Sequence, residues 1–86
     1  MSDTTTTVGA FSFDSATSEV TGPADFIRSA DYRRCIAAIE GGTCPTFRAA
    51  VVHSPNVETA LLVTIQTVYA GWKGMRDFNA MREAAR

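Results

Sequence analysis

Residues 54–85 read SPNVETALLVTIQTVYAGWKGMRDFNAMREAA, and whether this stretch is helix or strand decides the fold. Ser54 followed by Pro55 is a helix-start signal, because proline's missing N–H falls where a helix leaves its first donors unpaired. Glu58 then lies in the first turn, where the helix dipole favours an acid. Apolar residues recur at Leu61, Ile65, Val68, Trp72 and Met75, a heptad-like seam. Phe78, Met81 and Ala85 prolong the apolar face with a drift around the axis. The spacing predicts one helix over 55–84, about 45 Å long at 1.5 Å per residue.

A competing reading of the same segment is a strand. Leu62 to Tyr69 is rich in Val, Thr and Ile, and Val63, Ile65, Thr67 and Tyr69 alternate. Gly71 and Gly74 would support a break, since each costs about 1 kcal/mol relative to Ala inside a helix. A strand at 61–69 with a helix from 73 would make the fold α+β. The start signal and the seam favour the long helix.

Upstream, Tyr32, Cys35, Ile36 and Ile39 form a helical stripe, and Gly41-Gly42 ends it as glycine past a helix should. Pro23 suits a first turn, and Ser29 is a second candidate cap. These signals predict a helix over 24–40, broken near Ser29. After the linker Thr43-Cys44-Pro45-Thr46, residues 47–53 read as a short helix with Thr46 as its cap.

Residues 1–22 differ in kind. Positions 2–22 hold ten Ser or Thr, three acids and no Lys or Arg. Such a segment buries too little apolar surface to offset its ordering entropy by itself. Phe11 and Phe13, two apart, would point to one side of an extended chain. The segment reads as an extended or disordered arm whose two rings anchor on a neighbouring surface, or which folds back over the chain's own core. The fold expected is therefore mainly α: a small helical hairpin of two or three helices over 23–86, with an N-terminal arm over 1–22 and α+β as the alternative.

The whole chain has 86 residues, with 8 Lys+Arg against 9 Asp+Glu and a net charge of −1. That balance argues against a general nucleic-acid binder. No run of about 18 apolar residues exists to span a membrane. The first basic residue is Arg28, so no secretory leader is evident, and an intracellular (cytoplasmic) location, or a particle assembled there, is expected. Cys35 and Cys44 would then be reduced. A Cys35, Cys44 and His53 metal site lacks a fourth soft ligand and any close ligand pair. No cofactor is expected. Catalytic motifs such as G-x-S-x-G, H-E-x-x-H or a Walker loop are absent, and no acid pair has a spacing that compels shared chemistry. No enzyme activity is expected.

Gly71-Trp72-Lys73-Gly74 matches the G-x-x-G clamp of KH domains, but as a lone pattern without a following strand. The segment from Trp72 to Glu83 is amphipathic and rich in the Trp, Phe, Met and Arg types that interfaces favour. About 64 residues without a staple make a thin core. A helix apolar most of the way round also needs more cover than one short helix provides. A protein partner or a second copy is therefore expected, with Phe11, Phe13, Leu61, Ile65, Val68, Trp72, Met75, Arg76 and Phe78 as candidate interface residues. Three functions fit: a non-catalytic assembly module (a virion component or accessory subunit), a small regulator of one target protein, and a nucleic-acid module using 71–74.

Overall fold

The computed structural model describes residues 5–85. Residues 1–4 of the expected arm and Arg86 lie outside the described residues. In chain order the elements are β1 (Thr5–Val8), β2 (Phe11–Asp14), β3 (Glu19–Thr21), α1 (Ala24–Ile27), α2 (Ala30–Glu40), α3 (Pro45–His53) and α4 (Val57–Ala84). Helix dominates, as expected. The hairpin of two or three helices is corrected to four helices among the described residues, and the arm, instead of reaching a neighbour, folds back on the chain's own core as a three-stranded antiparallel sheet in the order β1-β2-β3.

The sheet forms because its turns and its inner face agree. Gly9, with φ +58°, occupies the two-residue turn between β1 and β2, where hairpins need left-handed backbone. At the next turn the Asp14 carboxylate accepts from the Ala16 N–H at 2.9 Å. The register sets Val8 opposite Phe11, and Phe13 between Thr6 and Val20. Phe11 and Phe13 do share one face, and that face turns onto the chain's own core. Phe11 is fully buried, while Val8, Phe13 and Val20 pack around the core's edge. Burying one phenylalanine side chain is worth about 2–3 kcal/mol. A Cβ at Gly22 would run into the Phe11 ring, so the chain leaves β3 through a residue without one.

The break at Ser29 is where the sequence places it. Its hydroxyl donates to the Phe26 carbonyl at 2.6 Å and accepts from the Tyr32 N–H at 3.2 Å, ending α1 and capping α2. At the far end of α2, Gly42 takes φ +74°. Gly42 N–H then donates to Ile39 and Thr43 N–H to Ala38, which is a Schellman ending. Arg48 of α3 donates to the Gly42 carbonyl at 2.7 Å, fixing α3 to that turn.

Two caps sit elsewhere than expected. Pro45 is the first residue of α3, after Cys44, so Thr46 lies inside the helix. Proline at the first position removes a donor that would be unpaired anyway. Asn56, not Ser54, caps α4: its side-chain oxygen accepts from the Thr59 N–H at 2.8 Å. Ser54 instead closes α3. The long helix expected over 55–84 is α4, Val57–Ala84, and the competing strand over 61–69 does not form. In its place Thr64 and Thr67 donate their hydroxyls to the carbonyls four residues back, each at 2.9 Å, so both are satisfied inside a helix.

The core lies between the sheet, α1, α2 and the first two-thirds of α4. Phe26 is its centre. Ring centroids of Phe11, Tyr32, Tyr69 and Trp72 stand 5.8, 5.7, 5.2 and 5.2 Å from it, mostly edge to face. Ala60, Leu62, Thr64 and Ile65 present α4 to this cluster and to α3.

Candidate docking surface

α4 has two apolar faces, and the body covers one. Of the heptad-like seam, Ile65 is fully buried, and Leu61, Val68 and Trp72 are half-buried within the chain. Only Met75, at the end of the seam, stands free, 63 % exposed. The residues that drift off the seam point away from the body: Phe78 is 54 % and Met81 70 % exposed. Counted at 3.6 residues per turn, Gly71, Gly74, Phe78, Met81 and Ala85 fall in one arc of about 80°. Ile65 and Trp72 lie on the opposite side of the helix.

The outer half of α4 is held to the body by Arg76. Its guanidinium stands 5.3 Å from the Trp72 ring centroid, a cation–π contact, and Nη1 lies 3.4 Å from an Asp25 oxygen. Asp25 also pairs with Arg28 at 3.5 Å. Arg76 falls on the side of the helix opposite the arc, and no charged residue falls within the arc.

The sequence-named candidates thus divide. Phe11 and Ile65 lie inside the chain, and Phe13, Leu61, Val68 and Trp72 are shared between core and surface. Arg76, though exposed, lies on the side that meets α1, while Met75 and Phe78 are exposed on the outer half of α4. Met81 joins them, and its place was readable from the drift of the apolar positions. Val51, Val52 and Val57 form a further exposed set where α3 meets α4.

Two cavities adjoin the surface. An open groove of about 560 Å³ between α2 and α4 is lined by Asp31, Arg34, Cys35, Val68, Trp72 and Met75 among others. Asp31 and Arg34 pair with each other on its rim. A more enclosed cavity of about 350 Å³ lies between β2, β3 and the helices, lined mostly by apolar side chains including Phe13, Ile36, Phe47 and Leu61.

Cys35 lines the first cavity and Tyr32 the second. Burial, then the neighbouring Cys44 thiol, pushes the Cys35 thiol above its usual range. A thiol so placed is a poor nucleophile. Burial, then Cys35, pushes the Tyr32 hydroxyl up as well. Among the described residues both cysteines are free thiols, and no group of three His, Cys, Asp or Glu is placed to hold a metal. Residues 71–74 are helix, so the G-x-x-G loop does not form. No described helix is long and apolar enough to cross a membrane. Compared with protein-family models, with curated proteins and with solved structures, the chain has no match.

Proposed function

We propose that the chain is a non-catalytic assembly module that docks onto protein through the outer half of α4, by self-association or within a larger complex. The observation that carries this reading is the exposed triplet Met75, Phe78 and Met81 on a helix whose other side Trp72 and Arg76 fasten to the body. A helix left free to fray would leave such residues in water to little purpose. A helix anchored and extended beyond its own core presents them as a rigid surface. Aromatic and Met residues in a cluster flanked by charges (Asp77, Arg82) match the composition of interfaces. The role suits an accessory subunit or a particle component.

The test replaces Phe78 and Met81 with serine. In native extract of cells that make it, the wild-type chain is expected in a species larger than itself. The Phe78→Ser/Met81→Ser variant is expected at its own size with unchanged helicity. Identical elution of both chains overturns the reading.

A further inference from the structure

We infer that the cavity between the sheet, α2, α3 and α4 binds a small cation with an apolar tail, an alkylammonium, whose charged head sits against Glu40. The site is separate from the outer face of α4 and does not depend on docking there. The cavity holds about 350 Å³, within the size range of small-molecule sites. Its wall is apolar and comes from every layer of the fold: Phe13 of β2, Ile36 and Ile39 of α2, Phe47 of α3 and Leu61 of α4.

One end of the cavity differs from the rest. On α2, Tyr32, Ile36, Ile39 and Glu40 fall within an arc of about 100° and line the cavity over about 12 Å of helix. Glu40 is the one charged residue among those that line it. Its carboxylate has no ion-pair partner among the described residues. The basic residues to either side of it in sequence are engaged elsewhere: Arg34 pairs with Asp31, and Arg48 donates to the Gly42 carbonyl. Glu40 is also the last residue of α2, where the helix dipole already gathers negative charge, and no basic residue lies in that last turn. Carboxylate and dipole together favour a cation at this end.

An aromatic ring gives the head a second partner. α3 starts five residues after Glu40, so Phe47 in its first turn stands at the same end of the cavity. A ring face attracts a cation, most strongly where water is excluded. The tail then runs along Ile36, Ile39 and Leu61 towards Tyr32, apolar against apolar. A neutral ligand of the same shape leaves Glu40 without a partner, and an anionic one is repelled by it, so charge selects the occupant.

The experiment is isothermal titration calorimetry of the whole chain with hexyltrimethylammonium, using 1-hexanol and hexanoate as neutral and anionic comparators. The wild-type chain is expected to bind the cation saturably at one site, and both comparators about fivefold or more weakly. Glu40→Gln is expected to raise the dissociation constant for the cation about fivefold and to leave that for hexanol unchanged. Glu40 is exposed, so the variant keeps the fold, which circular dichroism checks. In the saturated complex, nuclear Overhauser contacts are expected from the N-methyl protons to the Phe47 ring and from the tail to Ile36 and Leu61. No saturable binding by the wild-type chain overturns the inference. So does binding that Glu40→Gln leaves unchanged, or binding without those contacts. The docking reading of α4 keeps its own elution test in each case.

Discussion

Arg76 and Asp25, 51 residues apart in sequence, meet across the surface at 3.4 Å, and the same guanidinium covers the Trp72 ring. The contact links α1 to the point where α4 leaves the body. Both partners are well exposed, so the ion pair is worth at most about 1 kcal/mol, with the cation–π contact adding about 0.5–1 kcal/mol. Arg76→Ala is expected to lower stability by about 1 kcal/mol in urea unfolding at low salt. Part of that loss should vanish at high salt, where the ion pair is screened. An effect of zero at both salt concentrations would remove Arg76 as the anchor.

The glycines divide into two kinds. Gly22→Ala drives a methyl group into the Phe11 ring and is expected to destabilise by about 1–3 kcal/mol. Gly71→Ala meets open space inside a helix and is expected to stabilise the chain by up to about 1 kcal/mol, measured where it is dilute enough to be monomeric. Thermal melts that rank the two the other way would contradict the packing of β3 on the core.

Caps give a sharper local test. Asn56→Ala removes the acceptor of the Thr59 N–H and is expected to cost about 1 kcal/mol. Ser54→Ala is expected to cost less, since α4 does not use that hydroxyl as its cap. Equal losses, read by chemical denaturation, would return the helix start to Ser54.

Alkaline pH should weaken the fold. The Cys35 thiol and the Tyr32 hydroxyl are both pushed up by burial, so folding favours their neutral forms. For a group raised on folding, the stabilisation is complete below the unfolded-state pKa and is lost as pH rises through the folded-state one. The decline therefore starts above about pH 8.5 for the thiol and about pH 10 for the phenol. Melting temperature followed up to about pH 10 should fall less steeply in Cys35→Ala than in the wild-type chain. Parallel curves would show that Cys35 titrates as it does when unfolded.

Much of the helical framework is legible in the residues because its signals are local. Ser29 and Gly41-Gly42 bound α2 by hydrogen bonds that span only a few positions. The sheet is not legible in this way. Threonine serves both strands and disorder, and a segment average hides the weight of one buried ring, Phe11. The pairing of β1, β2 and β3 also depends on α4 offering a surface more than forty residues away.

The exposed face of α4 is half legible for a related reason. After Met75 the apolar residues come three apart, at Phe78 and Met81, and each step of three turns the position about 60° back round the helix. Leu61, Ile65, Val68 and Trp72 face the body, while Phe78 and Met81 therefore come round to the outside. Spacing names the apolar residues of such a helix but does not say which side another element of the chain covers.

The outer face of α4 is proposed to dock onto protein. It is tested most directly by a photo-crosslinking residue at position 78, with one at the exposed position 33 of α2 as the control, irradiated in the cells that make the chain. A discrete covalent product from position 78 and none from position 33 is the expected result. No product from position 78, or the same diffuse products from both, would contradict the claim.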